Sequence, residues 1–262
     1  MNSFLFIVPT LNSYKDLPKL INSLKEQTYK NWRILFIDGN SNKFHKKFLR
    51  IISKEDERFG VIEQSLNSKG IFGAMNQGWN YINKNDWTLF WGSDDWAFSN
   101  FMLEDLNNKI IKLNNDLPDL IVCKGTYFSK NGKKERDSYF FKDNKVVFKN
   151  EFKKLLFCGR TPPHQATLFS PKLKKSIRNY DLKYFIAGDL KFFLNASSKI
   201  EKVKILDFCI VKMKIGGFSS INGLKRLKEV LRAYYEEYRI LFFVPFFLRY
   251  VRRLLSKFEK CI

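Results

Sequence analysis

The sequence predicts an α/β fold: a mostly parallel central sheet flanked by helices, with a C-terminal amphipathic helical extension. Three observations lead there. Short apolar runs alternate with segments whose apolar residues recur at helical spacing. Polar clusters close several of the runs. From Leu224 the chain changes to a charged amphipathic pattern.

The elements follow in order. Phe4–Val8 is an apolar run closed by Pro9, which reads as a buried strand. Asp16–Gln27 sets Leu17, Leu20, Ile21 and Leu24 on one helical face, with Pro18 in the first turn. Trp32–Ile37 is the second strand and stops at Asp38-Gly39, a turn pair. Lys46–Ser53 predicts a helix, Gly60–Glu63 a third strand and Gly73–Ile82 a helix after a glycine-marked loop. Trp87–Trp91 is the fourth strand, ending at Gly92-Ser93-Asp94-Asp95, and Leu120–Lys124 is the fifth, after a helix over Leu103–Leu113. The pattern then loosens. Polar hairpin strands are expected over 126–149, a short helix over Glu151–Phe157, a strand at Thr167–Phe169, a helix at Gly188–Ser197 and a strand over Val203–Met213 before a Gly216-Gly217 loop.

This divides the chain into a domain over 1–223, with halves 1–125 and 126–223, and a tail over 224–262. Leu224–Tyr238 reads as an amphipathic helix. The run Ile240–Leu248 is apolar apart from Pro245, expected to break the helix, and Arg249, Arg252, Arg253 and Lys257 follow. The run is too short to span a bilayer and suits an interfacial segment, its aromatics in the headgroup zone and its cations against lipid phosphates. A contact with the domain or with a second copy is the other expectation for it.

Composition narrows the function. The chain has 262 residues and is 45% hydrophobic, enough for a core, which excludes a wholly disordered chain. Its formal net charge of +21 implies an anionic partner: nucleic acid, an anionic membrane or a phosphorylated substrate. Four widely spaced cysteines and two histidines make a structural zinc site improbable and read as reduced, cytoplasmic thiols. No signal peptide is read at the N-terminus.

In a parallel sheet covered on both faces, ligands bind beyond the carboxyl ends of the strands. Polar clusters stand at three such ends: Thr10 to Asn12, Asp38-Gly39 and Ser93-Asp94-Asp95. Adjacent carboxylates at a strand end can hold a hard divalent cation beside a diphosphate, although Ser-Asp-Asp also starts helices well. Asp38 can accept hydrogen bonds from a ribose or base, or serve a turn. No Gly-x-Gly-x-x-Gly or Walker lysine motif follows the first strand. His164, after Pro162-Pro163, can hydrogen-bond a diphosphate or an acceptor hydroxyl, or be structural.

IVPTLN at 7–12, FIDGNS at 36–41, NSKGIFGAMNQGW at 67–79, WGSDDW at 91–96, HQ at 164–165, AGD at 187–189 and GGFS at 216–219 occur in one order. The ordered set resembles the family 2 glycosyltransferases of the GT-A fold, in particular bacterial enzymes of surface polysaccharide or lipopolysaccharide synthesis. Leu11 and Met75 depart from the residues often found there. The resemblance implies that Pro9, Thr10 and Asn12 line a nucleotide pocket and that Asp38 binds its uracil end. It implies that Gly70, Gly73 and Asn76 lie against the nucleoside diphosphate, with Ser93, Asp94 and His164 also on the nucleotide sugar. It makes Asp95 the ligand of Mn²⁺ or Mg²⁺, and Asp189 the general base of an inverting transfer. Asp189 would remove the acceptor hydroxyl proton as that oxygen attacks the anomeric carbon; capping its own helix is the structural alternative.

The expected activity is transfer of a hexose or N-acetylhexosamine from a UDP-sugar to a sugar or lipid-linked glycan, on the cytoplasmic face of an anionic inner membrane. A basic nucleic-acid-binding protein is the alternative. Against it, the basic residues are spread along the chain and no helix-turn-helix, finger or ribonucleoprotein motif is present, so no nucleic-acid partner is expected. A membrane-docked scaffold on a degenerate transferase fold is disfavoured by Asp38, Asp94, Asp95 and Asp189 occurring together.

Overall fold

The computed structural model describes residues 2–114, 116–129, 131–177, 179–216 and 222–258. β1 (Ser3–Thr10), β2 (Trp32–Asp38), β3 (Phe59–Glu63) and β4 (Asp86–Phe90) form a parallel block in the order β3-β2-β1-β4. Side chains alternate across it. Leu5 and Ile7 of β1 enter one core cluster; Phe4, Phe6 and Val8 enter the other, and all are fully buried. Burial on both faces is why these strands read as continuous apolar runs.

α1 (Leu17–Lys25), α2 (Lys43–Glu55) and α4 (Met102–Ile111) bury their apolar faces in the cluster of Phe4, Phe6 and Val8. α2 starts at Asn42, whose Oδ1 accepts from Phe44 N and His45 N, both at 3.1 Å. α3 (Gly70–Gly78) covers the opposite face, and a 3-10 turn over Trp79–Tyr81 continues it.

Beyond β4 the sheet departs from the expected mostly parallel layout. β9 (Thr167–Phe169) lies between β4 and β6 (Leu120–Phe128), antiparallel to both. The chain enters β9 through Pro162-Pro163 and a 3-10 turn at His164–Ala166, and Trp91 Nε1, just past β4, donates to Gln165 O at 2.9 Å. That turn therefore sits at the carboxyl end of β4, and a strand leaving it without a crossover helix must run antiparallel. β10 (Lys202–Lys214) is parallel to β6 and antiparallel to β5 (Trp96–Ala97) and β8 (Lys145–Phe148); β7 (Lys134–Ser138) forms a hairpin with β6. The fold is α/β with a mixed sheet. β5, two residues long, has no counterpart in the sequence reading.

α5 (Lys149–Phe157), the short α6 (Leu173–Ser176) and α7 (Gly188–Ala196) join α3 on the second face. α8 (Gly223–Tyr238) packs there through Val230, Ala233 and Tyr234. At Arg239 the backbone turns to φ 50°, and after a 3-10 turn over Arg239–Phe242 the chain enters α9 (Phe243–Phe258). Pro245 lies in the first turn of α9, where its missing N–H costs no helical hydrogen bond. It does not break the helix there, and the break falls at Arg239 instead.

The tail divides between the two expectations for it. Tyr238, Phe242, Phe246 and Tyr250 pack against the core cluster, whereas Ile240, Leu241, Phe243 and Phe247 are exposed. α9 seats on the turn after α5: Arg252 Nε donates to Cys158 O at 3.0 Å, and Arg249 Nη1 donates to Thr161 Oγ1 at 2.5 Å. Gly159, at φ +76°, lets the helix approach, since a Cβ there would lie 2.5 Å from Arg249 N and 2.9 Å from Pro245 O. The side chain of Lys257 and the GGFS positions after Gly216 lie outside the described residues.

Gly132 has the same φ of +76° with nothing near its Cβ position, which separates strain from contact. Gly132→Ala should lose about 1–2 kcal/mol, from the left-handed backbone alone. Gly159→Ala should lose about 2–4 kcal/mol, strain plus overpacking against α9. Urea unfolding of both variants measures this; equal losses would mean that α9 does not rest on the turn.

Candidate active site

The carboxyl ends of β2, β1 and β4 are neighbours, and Thr10 pairs with Asp38 in the β1–β2 register. Pro9 is half-buried and Thr10 is buried, its Oγ1 3.5 Å from Ile37 O. Asn12 sits at φ 53° and ties the two strand-end loops: its N–H donates to Ser41 Oγ at 2.8 Å, and its Oδ1 accepts from Asn42 N at 2.8 Å. Asp38 is 2% exposed. Its carboxylate accepts from Ser41 N at 3.1 and 3.3 Å and lies 3.6 Å from His45 Nε2. Burial lowers the His45 pKa, and Asp38 offsets this in part. Neither ring nitrogen of His45 has a hydrogen-bond partner among the described residues. No sequence signal had singled out this histidine.

Gly70 and Gly73 shape the loop that enters α3. Gly70 is at φ +81° in open space, while a Cβ on Gly73 would lie 2.0 Å from Ser68 O, so the loop folds tightly onto the helix. Asn76 is committed elsewhere: Nδ2 donates to Tyr180 O at 2.9 Å and Oδ1 accepts from Tyr180 N at 2.5 Å. It holds Tyr180, with both ends of its amide occupied. Met75 is buried in the core.

Asp94 and Asp95 follow β4, with Ser93 half-buried before them. Asp95 is 3% exposed, and one of its oxygens accepts from Gly92 N at 2.7 Å. Burial, then the charge of Asp94, raises the Asp95 pKa well above the carboxylate range; burial also raises that of Asp94. The two carboxylates close over Gly92, where a Cβ would lie 2.9 Å from Asp94 Oδ1 and 3.1 Å from Asp95 Oδ2. Asp95 is buried and Asp94 half-buried, so the two acids meet over a bare backbone. Lys214, which pairs with Asp16 at 3.0 Å, also bears on Asp94.

Asp189 opens α7 and lines a cavity of about 630 Å³ together with His164 and Tyr127. Its Oδ1 accepts from Leu190 N at 2.7 Å. Gly188 is required beside it, since a Cβ would lie 2.5 Å from the Phe72 ring. Asp181, another carboxylate on the same stretch of chain, lines a different cavity with Asn76 and Tyr180. His164 is buried with Nε2 2.7 Å from Tyr180 Oη, and burial pushes its pKa down to about 4, so the ring is neutral at physiological pH. The Tyr127 hydroxyl feels the charges of both Asp95 and Asp189. Asp189 lines the cavity with Tyr127 and Asp95 does not, while Asp38 stands two strands from β4 at the same sheet edge.

α8 fixes the backbone before Asp189. The Glu229 carboxylate, 8% exposed, accepts from Phe185 N at 3.1 Å, Ile186 N at 2.8 Å and Ala187 N at 2.9 Å. Two turns further on, Glu236 pairs with the buried Lys191 of α7 at 3.1 Å and accepts from Tyr184 Oη at 2.9 Å. Burial opposes its charge, but hydrogen bonds from Arg232, Lys191 and Tyr184 hold its pKa down at about 2. Glu229 was missed in the sequence, although it lies beside Val230 on the inward face of an amphipathic helix, where an acid needs a partner.

Among the described residues, no group of three or more His, Cys, Asp or Glu side chains could hold a metal ion. A cation on the Asp94–Asp95 pair would need further oxygens from a ligand or water.

The family model described as Glycosyl transferase family 2 matches residues 5–174. The chain is 31% identical over 153 residues to "Glycosyltransferase GlyA" of Streptococcus pneumoniae, an alignment covering 55% of this chain and 21% of that protein. It is 26% identical over 200 residues to a "PGL/p-HBAD biosynthesis glycosyltransferase" of Mycobacterium bovis, covering 74% of this chain and 70% of that one. It therefore spans about a fifth of the first relative and most of the second. Its fold is similar to that of S. aureus TarS, with a TM-score of 0.66 at 20% identity over 89% of this chain and 39% of that chain. It is also similar to the mannosyltransferase PcManGT of Pyrobaculum calidifontis, with a TM-score of 0.63 at 11% identity over 94% of this chain and 69% of that chain.

Glu229→Gln keeps the shape but removes the charge that three backbone N–H groups share. We expect a loss of about 1.5–3 kcal/mol in unfolding free energy. Amide hydrogen exchange at 185–187 should quicken more than at the core strands. Unchanged protection there would mean that α8 does not order this loop.

Proposed function

Because the chain belongs to glycosyl transferase family 2, we propose that it is an inverting glycosyltransferase of GT-A type. It moves a hexose or N-acetylhexosamine from a UDP-sugar to a glycan or glycolipid acceptor in cell-surface polysaccharide synthesis. The observation that carries this reading is the family match over residues 5–174, with Asp95 buried past the end of β4 and Asp189 in the cavity lined by Tyr127. A uridine donor is supported by the likeness to S. aureus TarS, whose structures include complexes with UDP and with UDP-GlcNAc.

The residues at the sheet edge fit a divalent cation, Mn²⁺ or Mg²⁺. Asp95, with Asp94 beside it, would hold the ion over Gly92, and donor diphosphate oxygens and water would complete its shell. PcManGT was solved with GDP-Man and Mn²⁺. Bound there, the ion would neutralise charge on the departing nucleoside diphosphate.

The chain's own residues do the rest. Asn12 and Ser41 hold the two loops that flank the nucleotide edge. Asp189 takes the proton of the acceptor hydroxyl while that oxygen bonds to the anomeric carbon. The bond from the anomeric carbon to the phosphate oxygen breaks on the opposite face, its electron pair leaves with UDP, and the configuration inverts. Neutral His164, hydrogen-bonded to Tyr180, is an uncharged wall of the same cavity.

The exposed apolar side chains Leu224, Leu227, Leu231 and Tyr235 of α8 continue into Ile240, Phe243 and Phe247, with Lys225, Lys228 and Arg232 exposed among them. Among the described residues no helix is long and apolar enough to cross a membrane. This face rests on an anionic membrane surface, its aromatics in the headgroup zone, as a peripheral contact on the cytoplasmic side.

Asp189→Asn should lower turnover about 10²–10⁴-fold with donor affinity kept. Asp95→Ala should remove most of the Mn²⁺-dependent rate. Steady-state kinetics with UDP-sugars, together with UDP titrations, read both. Full turnover in Asp189→Asn would reduce that carboxylate to a helix cap. Separately, Leu231→Asp with Phe247→Asp should abolish flotation on phosphatidylglycerol vesicles. Unchanged flotation would remove the face from membrane contact, and a fall from dimer to monomer would assign it to a second copy.

A further inference from the structure

The cavity beside Asp189 is lined by six cationic and three acidic side chains. Its five arginines come from separate stretches of chain. Arg136 is on β7, Arg160 follows α5, and Arg249, Arg252 and Arg253 are on α9. The last three, expected from the sequence to lie against lipid phosphates, line the cavity instead. Among the described residues, none of Arg136, Arg160, Arg249 and Arg252 forms a salt bridge with a carboxylate; the hydrogen bonds of Arg160, Arg249 and Arg252 go to Phe140 O, Thr161 Oγ1 and Cys158 O. The guanidinium carbons of Arg136 and Arg160 lie over the rings of Tyr127 and Phe141, 4.0 and 4.3 Å from the centroids. Such contacts orient a guanidinium without neutralising it. Of the lining acids, Asp137 is bonded to Thr126 and Lys134. Asp189 is reserved for chemistry in the reading above.

We propose that this cavity binds phosphate: the acceptor is a phosphorylated glycan, with its phosphate on the arginine cluster and its free hydroxyl at Asp189. Arginine suits this ligand because its planar fork pairs bidentately with phosphate oxygens and stacks on aromatic faces. The four guanidiniums of Arg136, Arg160, Arg249 and Arg252, with no carboxylate partner among the described residues, exceed what a single carboxylate can neutralise and match a phosphate or phosphodiester. The cavity lining includes none of Thr10, Asp38, Asp94 and Asp95, so the cluster serves the acceptor side and not the donor diphosphate.

The position of the acceptor hydroxyl rests on the Asp189 assignment; phosphate binding does not. The test uses the full chain, with sn-glycerol 3-phosphate and inorganic phosphate as probes, measured by calorimetry beside UDP. We expect Arg160→Gln and, independently, the exposed Arg253→Gln to weaken the probes about tenfold or more, with UDP affinity unchanged. Lys54→Gln, on α2, should leave all three unchanged. Asp189→Asn should keep phosphate binding while losing transfer, so failure of the base assignment is read separately. No probe binding, equal weakening by Lys54→Gln, or parallel loss of UDP would overturn the proposal. So would arginine variants that lose phosphatidylglycerol vesicle binding but keep glycerol phosphate, since the cluster would then serve lipid headgroups.

Discussion

The carboxylate of Glu229 is the contact on which the acceptor half depends. The segment before α7 presents three consecutive backbone N–H groups to a buried region, and each would be costly if left unpaired. One charged side chain from α8 satisfies all three. It therefore fixes where α7 begins, and with it where Asp189 stands. Glu236 repeats the device two turns later on Lys191 and Tyr184. α8 consequently does two jobs. Its inner face orders the loop before the proposed base, and its outer face carries Leu224, Leu227, Leu231 and Tyr235 to the surface.

Much of the first half was legible because β1, β2 and β4 are covered on both faces, which turns a strand into an unbroken apolar run. The second half was less so. β9 is three residues long and its direction depends on where its entry turn is held, by Trp91 against Gln165. Trp96–Ala97 carries no pattern at all and is a strand only because β10 lies beside it. In the site, Asp94 and Asp95 could be named because they are adjacent at a strand end, whereas Asp189 is named through the resemblance carried by AGD at 187–189. Asn76 could be named but not placed: only the fold shows its amide spent on Tyr180. His45, Tyr127, Arg136 and Arg160 had no sequence signal of their own, and Arg249, Arg252 and Arg253 could be named but not placed in a cavity. They meet through folding of distant segments, and no spacing along the chain encodes such a meeting.

The net charge of +21 divides into distinct local fields. Lys19 stacks on Trp96 at 3.3 Å, and burial, then Lys212 and Lys214, lower its pKa, so a cationic group stands near the Asp94 turn. The arginines form a second field around the cavity, and Lys225, Lys228 and Arg232 a third among exposed apolar side chains. Only the second combines guanidiniums from β7, the turn after α5 and α9 around a single space. A sum over the whole chain suggests a general affinity for anions; the distribution separates the Asp94 turn, the cavity and the outer face of α8.

The order of pairing in the sheet bears on how the protein is made. A ribosome releases the chain from its N-terminus, and the parallel block over residues 3–90 can close as soon as β4 emerges. β5 must then wait for β10, more than a hundred residues later, and the loop before Asp189 must wait for Glu229. The cavity acquires its α9 wall last. A nascent chain can thus hold the nucleotide edge in near-final form while its acceptor side is still open. Ribosome profiling with limited proteolysis would find the first protected fragment well short of an active length, and truncation from the C-terminus would remove acceptor chemistry before it removed donor binding.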